Sequence, residues 1–400
     1  MSQAENQVIP EGYKQTEIGV IPDDWKTGYL GDSAKFIGSG KTNTKNKGDY
    51  SLYGSTGVIG SCCLPEYTGA SILVARVGAN AGKLGFADGE YGVSDNTIII
   101  KLLAGCNLKY FQYWLTRRNL NSLVFGSGQP LITGSQLKEL ILPLPQLKEQ
   151  TAIANALSDM DALLRELENL IAKKQAIKTA AMQQLLTGKT RLPQFAFYSD
   201  INSAEGVVEG KRKGTKPSEL GEIPDDWEVK KFGQVMRIRH GKDQKSIQVS
   251  GGLYPIFGTG GQMGSTNTPL YDKPSVLIGR KGTINKPRFT DYPFWTVDTL
   301  FYSEVANTES VKFIYYKFCM IDWMQYNEAS GVPSLNASTI ENVLASFPDI
   351  KEQTAIVTIL SDIDNEIQAF EQRLSKTRQI KQGMMQELLT GKTRLPLNTN

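Results

Sequence analysis

The chain has 400 residues and carries 44 lysines and arginines against 41 aspartates and glutamates, for a formal net charge of +3, and its length accommodates two or more domains with their own cores. Apolar residues make up 40%, no apolar run approaches the ~20 residues of a membrane span, and the start MSQAENQVIPEG lacks the apolar stretch of a signal peptide, so a cytoplasmic protein with no membrane association is expected. A single histidine, His240, and four cysteines without a C-x-x-C pair, Cys62, Cys63, Cys106 and Cys319, exclude zinc fingers, His-based metal sites and Ser-His-Asp chemistry.

Asp23, Asp24 and Trp25 of the stretch IPDDW precede the first strand-like segment, and IPDDW returns with Asp225, Asp226 and Trp227. The second copy continues Glu228-Val229-Lys230, the E-x-K form of metal-dependent nucleases, but the first continues Lys26-Thr27-Gly28. No nuclease carboxylate set is shared, and a turn followed by a packed indole is the expected role. FIGSGKT at Phe36 to Thr42 ends like a phosphate-binding loop, yet Lys35 stands where such a loop needs its first glycine. The clusters at Lys35 to Lys47, Lys230 to Lys245 and Arg280 to Arg288 are either solvated charged surface or an edge for nucleic acid; net charge alone does not decide between them. SILVARVG at Ser71 and NTIIIKLL at Asn96 are β-rich, whereas LKYFQYWLTRRNLNSLV and VKFIYYKFCMIDWMQY carry apolar residues at helical spacing.

From Lys148 the pattern changes to one long helix. Ile153, Leu157, Met160, Leu164, Leu167 and Ile171 step by alternating fours and threes, a coiled-coil seam, and Ile356, Leu360, Ile363, Ile367, Phe370 and Leu374 repeat its phase. The stripe skips at Lys174 and Thr377 and resumes at Ile177, Ala181, Leu185 and at Ile380, Met384, Leu388. LLTGKTRLP follows at Leu185 to Pro193 and recurs at Leu388 to Pro396. Gln183 and Gln386 occupy the first-glycine positions, so neither copy is a phosphate loop; Gly188 and Gly391 read as glycines that end a helix, with Pro193 and Pro396 beyond. A helix over 148–186 is roughly 58 Å long at ~1.5 Å per residue. Alone it leaves its seam in water, and its natural partner is its own duplicate.

The offset 391 − 188 = 203 persists, within one residue, far upstream. LKEQTAIANALSDMD at Leu147 matches IKEQTAIVTILSDID at Ile350, LYGSTGVIG at Leu52 matches IFGTGGQMG at Ile256, SILVARVG matches SVLIGRKG at Ser275, Asp95 matches Asp298, and SGQPLIT at Ser127 matches SGVPSLN at Ser330. This is a tandem domain duplication, far longer than a solenoid repeat of ~20–50 residues. The helical part stays similar between copies while the globular part drifts. Either the globular parts do two different jobs, or their surfaces drift freely. The expected divisions are a first globular domain over 1–146, a helical segment over 147–193, a linker over 194–217, a second globular domain over 218–348 and a second helical segment over 349–396.

The combination resembles one family, the DNA-specificity subunits of type I restriction-modification systems, over nearly the whole chain. Its pattern is a variable target-recognition domain followed by a helical segment with P-L-P-x-L-x-E-Q-x-A-I and a final L-L-T-G-K-x-R-L, twice. Here these are Pro143 to Ile153 and Leu185 to Leu192; the second copy departs with Ser346-Phe347-Pro348-Asp349-Ile350. The resemblance implies an α+β fold of two mixed α/β target-recognition domains in pseudo-twofold tandem duplication, separated by an antiparallel coiled coil of two long helices. It also implies a non-catalytic reader of double-stranded DNA, each domain reading one half of a split, asymmetric target. Two methyltransferase subunits dock on the helices, with restriction subunits in the full complex. S-adenosylmethionine belongs to the methyltransferase partner, ATP and Mg to the restriction partner, and no cofactor or metal to this chain, which has no N-P-P-Y or D-P-P-Y tetrapeptide. Major-groove edges favour Arg or Lys for guanine and Asn or Gln for adenine, while lysines and amides hold phosphates. The candidate DNA-binding residues are Lys41, Thr42, Asn43, Ser55, Thr56, Arg76, Lys83, Asn96 and Gln129 in the first domain. In the second they are Lys242, Gln244, Lys245, Thr259, Gln262, Arg280, Lys281, Lys286 and Arg288. Arg76 and Arg280, at equivalent positions, suit either a phosphate contact or a structural ion pair. A stand-alone scaffold or a competitor of such a complex is the alternative, and a DNA mimic of that kind would be strongly acidic, unlike this chain.

Overall fold

The heptad stripes become two helices of 39 residues each, Leu147–Leu185 and Ile350–Leu388. The computed structural model describes residues 9–42, 48–124, 131–198 and 211–396. The chain divides into two compact units, Met1–Glu168 with Gln372–Asn400, and Asn169–Glu371. Each unit contains the first part of one long helix and the last part of the other, and within each unit the two parts run antiparallel. In the first, Asp161 meets Lys381 and Glu168 meets Arg378; in the second, Lys174 meets Glu366 and Lys178 meets Asp364. No helix among the described residues is long and apolar enough to cross a membrane.

All twelve seam positions are buried or half-buried. Their outer members do more than pair helices. Ile153 and Leu157 join Leu388, Leu389 and Trp25 in the core of the first unit, and Ile356 and Leu360 join Leu185, Leu186 and Trp227 in that of the second. Ile177 and Ile380 do not resume the seam: they are 43% and 46% exposed. The skip rotates them off the inward stripe, and Thr377 is buried there instead.

The globular part of each unit is built on a four-stranded antiparallel sheet. In the first unit it runs Ala34–Ser39, Thr97–Leu102, Ser71–Ala75, Leu84–Ala87; in the second Met236–His240, Leu300–Val305, Ser275–Gly279, Arg288–Thr290. Its central strands read as unbroken apolar runs because both faces are covered. Ile72, Val74, Ile98 and Ile100 face the helix Leu108–Arg118, while Leu73 and Ile99 face Tyr91 and Val93 of a second sheet. The second unit repeats this, with Val276 and Ile278 toward the helix Val311–Met320 and Leu277 toward Phe257 and Phe294. The second sheet carries a two-stranded ribbon at its edge, Tyr50–Gly54 with Gly57–Cys62, or Tyr254–Gly258 with Gly261–Thr266. A short strand pair, Tyr13–Thr16 with Gly19–Pro22, precedes Trp25, so Asp23, Asp24 and Trp25 follow the first strands, the second of which ends on Ile21 and Pro22 of IPDDW.

IPDDW and LLTGKTRLP meet. In the second unit Arg191 forks onto Asp226 at 2.8 and 3.1 Å and onto Glu352 at 2.6 and 2.7 Å, while the indole N–H of buried Trp227 donates to Glu352 at 3.2 Å. In the first unit Arg394 does the same with Asp24 and Glu149, and Trp25 donates to Glu149 at 2.9 Å. Gly188 and Gly391 end their helices with φ of 72° and 71°, the left-handed conformation that suits glycine. At Gly188 a Cβ would also fall 2.5 Å from Pro224. The repeated nonapeptide is therefore a helix stop whose arginine fastens the helix end to the globular part of its unit. The E-x-K lysine, Lys230, is bonded to Glu228 at 3.0 Å and Glu309 at 3.4 Å, a structural pair.

Candidate nucleic-acid interface

The pairing register brings strand ends together. In the second unit His240 pairs with Phe301 and Gly279 with Leu300, so two strands end and a third begins at one edge of the sheet. Lys242, Gln244 and Lys245 follow the first strand, Arg280, Lys281 and Lys286 follow the second, and Arg288 opens the neighbouring strand opposite Leu277. The loops are tied by backbone bonds: Lys242 N–H donates to Thr296 O at 2.8 Å and Arg280 N–H to Thr299 O at 2.8 Å. The ribbon turn arrives at the same edge. Gln244, Thr259, Gln262 and Asp298 line one open cleft of 490 Å³, and the Arg288 guanidinium lies 3.0 Å from where a Cβ on Gly261 would stand. Seven of the nine candidates of this unit thus share one edge, and Lys245 and Lys286 lie on the loops that leave it.

The first unit repeats the construction. Ser39 pairs with Ile98, Ala75 with Thr97 and Val74 with Leu84, which places Lys41, Arg76, Lys83 and Asn96 at one sheet edge. Ser55 and Thr56 of the ribbon turn line a smaller cleft of 110 Å³ with Lys83 and Thr97. Thr42 is a correction: it is buried, its hydroxyl donates to Glu66 at 2.9 Å and accepts from the Val93 N–H at 2.9 Å, and it is not available to a ligand. Asn43 and Gln129 lie outside the described residues.

Among the described residues neither Arg76 nor Arg280 pairs with a carboxylate. Each donates through Nη1 to the main-chain carbonyl of the equivalent aspartate, Asp95 or Asp298, at 3.2 Å. A guanidinium has five N–H donors, so this brace uses one and aims a half-exposed cation along the edge. No group of three or more His, Cys, Asp or Glu able to hold a metal occurs among the described residues. An open edge with cations, amides, hydroxyls and a two-stranded ribbon matches what a polyanion with readable grooves requires.

What sequence reasoning missed is the support behind the edge. Tyr113 donates to Asp161 at 2.6 Å and Tyr316 to Asp364 at 2.7 Å, anchoring the helices Leu108–Arg118 and Val311–Met320 each to a long helix. Burial, and then the bond to Asp161, pushes the Tyr113 hydroxyl up to about 12. The matching tyrosines at a constant offset were the available signal.

Comparison with known proteins agrees with this geometry. The family described as type I restriction modification DNA specificity domain matches residues 22–179 and again 224–379. The type I restriction enzyme MjaVIII specificity subunit of Methanocaldococcus jannaschii is 25% identical over 450 residues, covering 96% of this chain and 96% of its own. Among solved structures, the type I restriction-modification system S subunit from M. genitalium superposes with a TM-score of 0.65 at 19% identity, covering 91% of this chain and 96% of that one. A chain from a structural study of complex assembly and conformational transition of the type I R-M system superposes at 0.54 with 14% identity, covering 93% and 99%. At these identities the structural likeness speaks for the fold.

Proposed function

Because the chain belongs to the family of type I restriction-modification DNA specificity proteins, we propose that it is the sequence-reading subunit of such a complex, itself non-catalytic. Each unit reads one half of a bipartite, asymmetric target in double-stranded DNA. The observation that carries this is the duplicated sheet edge: the same strand ends and the same ribbon turn appear twice with different side chains, Ser55 and Thr56 against Thr259 and Gly260. One construction with two chemistries suits two different half-targets. The long helices space the readers and seat two methyltransferase subunits, which bind S-adenosylmethionine and methylate adenine N6. Restriction subunits with ATP and Mg complete the complex in the cytoplasm.

The test is to co-express the chain with its adenine methyltransferase and map methylated adenines. A split motif with two different halves is expected; methylation without a motif, or within one continuous motif, overturns the reading. Replacing Lys242 and Lys245 with Ala is expected to weaken binding and to flatten the plot of log affinity against log salt by about one unit per lost phosphate contact. An unchanged slope removes these lysines from the interface.

A further inference from the structure

At edges made largely of cations, amides and hydroxyls, two valines are more exposed than the ribbons' Ile59 at 46% and Met263 at 51%. Val58 is 61% exposed and Val332 66%, and neither belongs to an apolar core. Val58 is one step past the turn of the first unit's ribbon, opposite Tyr53. Its neighbour Ile59, 46% exposed, folds back over Gly54, where a Cβ would meet Ile59 Cδ1 at 2.8 Å, which leaves Val58 the more exposed of the two. Val332 is held on a loop fastened to the second unit's edge. Gly282 N–H donates to Pro333 O at 2.8 Å, Lys281 pairs with Ser334, and Leu335 N–H donates to Arg280 O at 2.9 Å. Gly282 also adjoins the ribbon turn, its would-be Cβ 3.8 Å from Thr259 Oγ1. The more exposed Leu64 and Leu253 lie beyond the opposite ends of the ribbons, after Cys62 and before Tyr254, away from both edges.

The alignment of the two copies adds a second observation. Val58 in GVIG aligns with Gln262 in GQMG, and Val332 aligns with Gln129. In the sequence, valine and glutamine have exchanged places between the two pairs of aligned positions. The major groove offers one apolar feature, the C5-methyl of thymine, beside the donors and acceptors that amides read, and a two-stranded ribbon fits that groove.

We propose that Val58 and Val332 are specificity-determining residues, each packing on a thymine C5-methyl in a different half of the target. The assignment rests on the DNA-reading function proposed above. Cytosine at that position has no methyl and presents an amino donor to the valine, so it is rejected without a hydrogen bond.

The experiment uses the full chain assembled with its methyltransferase and a duplex carrying the mapped target. Thymines of each half are replaced singly by deoxyuridine, which removes only the methyl. The wild-type complex is expected to lose about 4-fold in affinity at one position in each half, the effect of one buried methyl. Val58→Ala abolishes that sensitivity in one half and leaves the other intact; Val332→Ala does the reverse. If the wild type prefers its target but no deoxyuridine weakens binding, or if the variants keep both sensitivities, the assignment is overturned while the DNA-reading function stands. A complex with no preferred sequence overturns the reading function and the assignment together.

Discussion

The two units hold their frames by the same bonds and differ where they face solvent. Asn107 N–H donates to Gln150 and Ser310 N–H to Gln353, both at 2.9 Å, and the locks of Arg394 and Arg191 use the same four residue types. At the ribbon turns Ser55-Thr56-Gly57-Val58 stands against Thr259-Gly260-Gly261-Gln262. A frame residue has a partner that must change with it, so it stays; a solvent-facing side chain at the ribbon turn has no such constraint. The backbone of the edge is kept while its side chains change, which favours two jobs over unconstrained surface drift.

The largest break in this symmetry is expected within the locks themselves. Arg191 is 10% exposed over a Glu352 carboxylate that is 2% exposed, whereas Arg394 is 36% exposed over Glu149 at 3%. Arg191→Ala leaves a buried carboxylate with the Trp227 N–H and no cation, and should cost about 3–5 kcal/mol. Arg394→Ala should cost roughly half as much, because water reaches the gap. Urea denaturation of the two variants measures the difference; equal losses would mean that burial does not set the strength of the lock.

A second difference lies one residue after the matched tyrosines. Trp114 in the first unit aligns with Lys317 in the second, and both are buried. The Lys317 ammonium donates to Leu186 O at 2.5 Å and Ser346 Oγ at 3.0 Å, and it lies 5.5 Å from the Trp227 ring and 5.4 Å from that of Phe313. Among the described residues no carboxylate pairs with it, and burial lowers its pKa to about 7. Unfolding lets it take up a proton at any pH between that value and its ordinary value of 10.5. Its contribution to stability is therefore present above the unfolded pKa and is lost as pH falls toward about 7. The stability of the wild type should rise by about 1.4 kcal/mol per pH unit across that window from this residue alone. Lys317→Met should remove one proton from the slope, read as denaturation midpoints at several pH values. A slope shared by variant and wild type would place the titrating group elsewhere.

The sequence discloses the duplication, the long helices and the exposed polar edge because each leaves a periodic or repeated trace. Heptad spacing placed Ile153 to Ile171, and alignment of the copies placed Arg76 with Arg280. The misplaced residues fail for physical reasons. Thr42 looks like any polar residue in a basic stretch until the fold puts Glu66 over its hydroxyl. Ile177 and Ile380 look like seam residues until the skip turns them outward. The lock joins Asp24 to Arg394, 370 residues apart, a contact that local pattern cannot disclose, although the joint repetition of IPDDW, the KEQ glutamate and TGKTR hinted at it.

The smallest effects are expected on the faces of the long helices, where the less exposed, inner ion pairs and the more exposed, outer ones differ in kind. Asp161 with Lys381 and Asp364 with Lys178 are equivalent pairs, and each aspartate also accepts from its tyrosine. Glu168 with Arg378 and Glu366 with Lys174 have no counterparts, since Gln175 aligns with Arg378 and Thr377 with Lys174. An outer pair joins long, exposed side chains, whose attraction is offset by lost rotamer freedom and screened by salt. Glu168→Gln and Glu366→Gln should each cost at most about 0.5 kcal/mol and nothing measurable at ~1 M salt. Asp161→Asn should cost about 1–2 kcal/mol and keep most of that at high salt, because the half-buried tyrosine also loses a charged acceptor. An outer pair that outweighed the inner one would show that the helices are held by charge along their faces. The opposite order leaves the apolar seam and the tyrosine anchors as what holds them, the parts that both copies keep.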